Sequence, residues 1–98
     1  MNRPPPAIVG LDADELMALA IVLHGSDCER RHRPLPRYRP SASSVMARRV
    51  LGELRARVPP AELAHTLAVA EGLRQPQSAA ELALLRGHLA LAVAVARR

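Results

Sequence analysis

Apolar positions recur along this chain with the period of an α-helix in four separate stretches, and no stretch alternates polar and apolar in the manner of a strand. The first is Leu16 to Leu23, apolar on every side. Asp12 offers an N-cap, Glu15 completes a capping box three residues later, and Gly25 reads as the stop after a helix ending near His24. In the second, Ala47, Val50, Leu51, Leu54 and Val58 fall on one stripe, with Arg48, Arg49, Arg55 and Arg57 on the other side. Ser41 or Ser43 can cap it, and Pro59-Pro60 ends it. Pro60 then suits the first position of a third helix reaching about Glu71, with Leu63, Leu67 and Ala70 inward. Gly72 terminates it, and Leu73 is expected to pack back. Ser78 and Glu81 form a second capping box before a last helix, Ala79 to about Ala96. That helix carries two stripes, Leu82/Leu85/Leu89/Ala92/Ala96 and Leu84/Leu91/Val95, more than one neighbour covers.

The predicted fold is all-α: one domain over 1–98, a compact bundle of three to four short helices. A proline-stiffened arm spans 1–11, and a long, basic, proline-containing loop spans 25–40 between the first two helices.

Composition sharpens this reading. The chain has 98 residues, no Phe, no Trp and one tyrosine, Tyr38, so its core is built from Leu, Ala, Val and Met. Small side chains let helices approach closely but bury little area each, which predicts a marginal monomer under pressure to associate. Cys28 stands alone, so no intrachain disulfide forms, in keeping with a reducing cytoplasm. The N-terminus shows no apolar signal core, and the apolar runs Leu16–Leu23 and Leu89–Ala96 are shorter than a bilayer span, so neither secretion nor a membrane is expected. Exclusive use of arginine, with abundant Ala and Pro, points to a GC-rich bacterial source.

Charge is segregated. Nine of the fourteen arginines lie between Arg30 and Arg57, where Glu53 is the one acidic residue, while residues 1–29 are net acidic. Guanidinium groups at Arg30, Arg31, Arg33, Arg37, Arg39, Arg48, Arg49 and Arg55 suit phosphates or carboxylates of an anionic partner, and Tyr38 could stack on a base. His24, Cys28 and His32 are spaced by four, which aligns three candidate zinc ligands if one helix runs through them; Gly25 speaks against that. His65 and His88 read as boundary side chains. Arg33-Pro34-Leu35-Pro36 begins like a proline-rich ligand, but Arg39 occupies the next required proline position.

Glu62-Leu63-Ala64-His65-Thr66-Leu67-Ala68-Val69 resembles the first helix and turn entry of the helix-turn-helix family. The resemblance spans eight residues. It departs at Ala68, where the family has Gly, and Gly72 and Pro76 interrupt what would be a recognition helix, so no DNA-reading residue carries over.

No glycine-rich phosphate loop, nucleophile elbow or paired carboxylates beyond helix caps are present, so no enzyme and no cofactor are expected. The expected function is that of a small interaction or regulatory protein that binds a protein partner, or a second copy of itself, through apolar helix faces. Leu84, Leu91 and Val95 form the expected interface. Nucleic-acid binding through residues 30–57 is the alternative.

Overall fold

A computed structural model describes residues 10–30 and 41–98. It contains four helices, α1 (Ala13–Arg30), α2 (Ala42–Arg57), α3 (Pro60–Ala70) and α4 (Ala79–Ala96), and no strand among the described residues. The predicted all-α bundle is what is found, with four helices. Residues 1–9 of the predicted arm 1–11 and residues 31–40 of the predicted loop 25–40 lie outside the described residues.

The termini follow the chemistry read from the sequence. At α1, the Asp12 amide donates to Glu15 Oε1 at 2.9 Å and the Glu15 amide donates to Asp12 Oδ1 at 2.8 Å, the reciprocal pair of a capping box. Ser41 caps α2 and accepts from the Ser44 amide. Pro60 opens α3, where its missing N–H costs nothing. At the other end of α3, Gly72 takes φ +77. Its amide donates to the Val69 carbonyl while the Leu73 amide donates to the Ala68 carbonyl, a Schellman motif. Ser78 caps α4 by accepting from the Glu81 amide.

Each helix touches the other three. Leu19, Leu51, Leu54 and Leu89 are fully buried at the centre, with Val22, Val50 and Val95 around them. Burying each of these leucines contributes roughly 1.5–3 kcal/mol. All five residues of the predicted α2 stripe are buried, and Arg48, Arg49, Arg55 and Arg57 are exposed.

Three expectations are corrected. Gly25 does not end α1, which runs six residues further than His24, to Arg30. An added Cβ at Gly25 would stand 2.7 Å from the Ala47 carbonyl oxygen and 3.4 Å from Leu51 Cβ. The glycine is there so that the α1 and α2 backbones can meet, a role that looks like a helix stop in sequence alone. Residues 25–30 of the predicted loop are thus helical, tied to the end of α3 by the Ser26 hydroxyl donating to Glu71 at 3.0 Å and by Arg30 at 3.0 Å from the same carboxylate. Leu73 makes the expected backbone turn, yet its side chain is 74% exposed and does not pack back. His88 is buried, not at the boundary.

Candidate functional site

The outer face of α4 is the feature that the core does not explain. Of its 18 residues, Leu85, His88, Leu89, Ala92 and Val95 are buried. Val95, predicted as part of an exposed seam, has 0% exposure and belongs to the core, because it shares the phase of Leu85, His88 and Ala92. Leu91 is half-buried against the core, and Leu84 is 40% exposed. Beside them lie Ala80, Ala83, Gly87, Ala90 and Ala94, all exposed. At 100° per residue these five project within one sector of the helix, flanked on one side by Leu84 and Leu91 and on the other by Arg86. Among the described residues, nothing approaches within 4 Å of where a Cβ at Gly87 would stand. The result is a smooth, uncharged strip nearly the length of the helix. Its signal in the sequence is the spacing of Ala83, Gly87, Ala90 and Ala94, small residues that stand out less than the neighbouring leucines.

By length and composition α4 is also able to cross a bilayer. Its inward face, however, supplies Leu85, Leu89, Ala92 and Val95 to the shared core, and Arg86 sits at its midpoint. An arginine near the bilayer centre costs about 2.5–3.5 kcal/mol even on insertion scales.

The arginine set is dispersed. Arg31, Arg33, Arg37 and Arg39 lie outside the described residues. Arg30 pairs with Asp27 at 2.7 Å and with Glu71, and Arg55 pairs with Glu29 of α1. Arg49 turns to the opposite flank of α2 and donates to the Val95 carbonyl at 3.4 Å, near the negative end of α4. Among the described residues, Arg48 forms no ion pair and stands exposed. The four described arginines therefore do not make one patch.

His24 and Cys28 come together because α1 continues. Cys28 Sγ is 3.9 Å from His24 Nε2, and Ser44 Oγ, in the first turn of α2, is 3.1 Å from the same nitrogen. His32 lies outside the described residues, and no group of three metal-ligating side chains occurs among those described.

Two further polar constellations join helices. Glu15, beyond its capping role, accepts from Arg86 Nε at 2.7 Å, which ties the start of α1 to the middle of α4. The Arg86 guanidinium, and after it the Asp12 amide, hold the Glu15 carboxyl below its usual range, and the carboxylate in turn raises Arg86. Between α3 and α4, Thr66 Oγ1 lies 2.7 Å from His88 Nδ1, and His88 Nε2 lies 3.6 Å from Glu62 Oε1. Sequence reasoning misses both; the available signal is helical phase, Thr66 lying three residues after Leu63 and His88 three after Leu85. Beside them a cavity of about 180 Å³ opens, walled by Val69, Pro76, Leu84 and Leu85 and rimmed by His65, Arg74 and Glu81. Arg74 is held by Glu81 at 2.7 Å. The Gln77 amide, and then Arg74, keep the Glu81 carboxyl below its usual range.

The fold and these surfaces define a four-helix all-α domain. No protein-family model, no curated protein and no solved structure matches the chain.

Proposed function

We propose that this chain is a helical interaction protein whose working surface is the outer face of α4, and that the partner it meets there is a second copy of itself. The observation that carries the reading is the exposed strip Ala80–Ala83–Gly87–Ala90–Ala94, flanked by Leu84 and Leu91, on a helix whose other side builds the core. A solvent-facing helix side is ordinarily charged, as the outer side of α2 is. Side chains this small let a second helix approach to the short end of the usual 8–10 Å interaxial range.

Symmetry favours self-pairing. The positions 83, 87, 90 and 94 read the same from either end, with spacings of four, three and four. A two-fold axis between Gly87 and Ala90 sets Gly87 against the partner's Ala90, and Ala83 against the partner's Ala94, as an isologous contact demands. The antiparallel arrangement also brings the Glu81 end of each α4 toward the Arg97–Arg98 end of the other and opposes the helix dipoles. Sedimentation equilibrium over a concentration series tests it: a mass converging on twice that of the 10.6 kDa chain is expected, and a monomer at every concentration refutes it.

A second reading, nucleic-acid binding through the arginine-rich segment, is favoured by Arg48, which is exposed and forms no ion pair among the described residues. Binding that falls steeply with added salt, and is lost when Arg48 and Arg49 are replaced together by Gln, is its expected signature. No shift with mixed DNA and RNA at low salt removes it.

A further inference from the structure

We infer that the cavity between α3 and α4 binds a small organic cation, a primary amine carried on a single-ring apolar body, with its ammonium paired to Glu62. This goes beyond the self-pairing reading and does not depend on it.

The chain has no Phe and no Trp to fill the space between these helices, and at this level α3 offers the small side chains of Ala61 and Thr66. Opposite them stand Leu84 and Leu85 of α4, and the connection between the two helices adds Pro76. Thr66 is buried, and its hydroxyl already meets His88 Nδ1 at 2.7 Å, so it asks no hydrogen bond of a ligand. The body that fits is therefore apolar, and Leu84, 40% exposed, is left for it to cover. An apolar cavity of about 150 Å³ takes up benzene. The volume here, about 180 Å³, sets the body at one ring with a short substituent.

Charge selects the substituent. The titratable side chains lining the cavity are Glu62, His65, Arg74 and Glu81. Arg74 and Glu81 offset each other at 2.7 Å, and the second Glu81 oxygen accepts from the Gln77 amide. Glu62 is not held in this way. Its one ion-pair neighbour among the described residues is His88 Nε2, at 3.6 Å and too long for a hydrogen bond. An ammonium at Glu62 gains a carboxylate beside apolar walls, where the attraction is stronger than in open water. A carboxylate ligand would meet Glu62 unscreened and find Arg74 already taken. Glu62 also lies in the first turn of α3, where it suits the positive helix end, so a test must separate recognition from helix stability.

The test uses the full chain, isotope-labelled, titrated with benzylammonium chloride and followed by amide chemical shifts, with benzyl alcohol and sodium benzoate as controls at equal ionic strength. Saturable shifts at residues 61–69 and 81–85 are expected with benzylammonium, with a dissociation constant on the order of 1 mM for a ligand this small. Benzyl alcohol should bind roughly five- to tenfold more weakly, as a partly exposed ion pair warrants, and benzoate should not bind. Glu62→Gln lowers benzylammonium to the level of benzyl alcohol and leaves benzyl alcohol unchanged, a split that a weakened helix alone would not produce. Ala61→Leu, at an exposed position on the cavity wall, fills the space and removes the binding of both. Circular dichroism of each variant checks that the helices persist. No saturable shift with benzylammonium, equal affinity for either control, or an undiminished preference in Glu62→Gln overturns the assignment. Shifts centred on Ala90 and Ala94 overturn it as well, by placing the ligand on the outer face of α4.

Discussion

Helices α2 and α4 bury equivalent stripes, Ala47/Val50/Leu51/Leu54 in one and Leu85/Leu89/Ala92/Val95 in the other, yet their outer faces are opposites. That of α2 carries Arg48, Arg49, Arg55 and Arg57; that of α4 carries Ala80, Ala83, Gly87, Ala90 and Ala94. Both inner faces follow the same packing rule, so the core alone does not account for the difference. A face of like-charged guanidinium groups repels a copy of itself, whereas an alanine–glycine face costs little to desolvate. The comparison teaches that the function of this bundle is to be sought where a helix has no reason, on stability grounds, to be apolar.

Four predictions sharpen or break that comparison. The largest effect belongs to the shared core: Leu89→Ala removes a fully buried side chain and should cost about 2–5 kcal/mol in denaturant unfolding. A cost well below 1 kcal/mol would mean that the inner face of α4 is not packed as described.

Next is the α1–α2 seam. Gly25→Ala drives a Cβ against the Ala47 carbonyl, which is backbone and yields only if the helices separate. A loss of about 1–3 kcal/mol is expected, against the usual gain for Gly→Ala in a helix. Stabilisation would show that the seam is loose.

The two outer-face glycines form a smaller and more discriminating pair. An added Cβ at Gly52 or at Gly87 meets nothing within 4 Å among the described residues of the single chain. Gly52→Ala should therefore stabilise by about 0.5–1 kcal/mol at any protein concentration. Gly87→Ala should match that gain at high dilution and lose it as the concentration rises and copies pair. Equal gains at all concentrations would erase the distinction between the two faces.

The smallest effect is on pH dependence. The Glu15 carboxyl is held below its ordinary value of 4.5 by Arg86 and the Asp12 amide. Its contribution is therefore fully present above pH 4.5 and is lost as pH falls through the depressed folded value. Acid unfolding of Glu15→Gln should lack that part of the pH slope below 4.5, while stability at neutral pH drops only by the weakened cap and the lost ion pair. An unchanged acid limb would remove Glu15 from the account.

Much of this fold was legible in the sequence because caps and periodicity are local. Asp12/Glu15, Ser41, Pro60, Gly72 and Ser78/Glu81 each act within a turn of themselves, so their residue types announce them. What was not legible depends on partners far along the chain. Gly25 needed the Ala47 carbonyl, and Val95 needed the phase of α4 against three neighbours, before either role could be assigned. Leu73 fits its turn by backbone alone, and nothing local says whether its side chain finds cover. The arginines illustrate the same limit. Their number is a matter of composition, but Glu29 and the Val95 carbonyl draw Arg55 and Arg49 to opposite flanks of α2.

The most direct test of the central claim is sedimentation equilibrium of Ala90→Glu beside the unaltered protein, with thermal unfolding of both at high dilution. Ala90 is exposed in the single chain and adjoins the proposed two-fold axis. The account predicts that the unaltered protein approaches twice the chain mass, and that Ala90→Glu stays at the chain mass with its helices and dilute-solution melting intact. Equal association of both proteins would contradict it, and so would a monomeric unaltered protein.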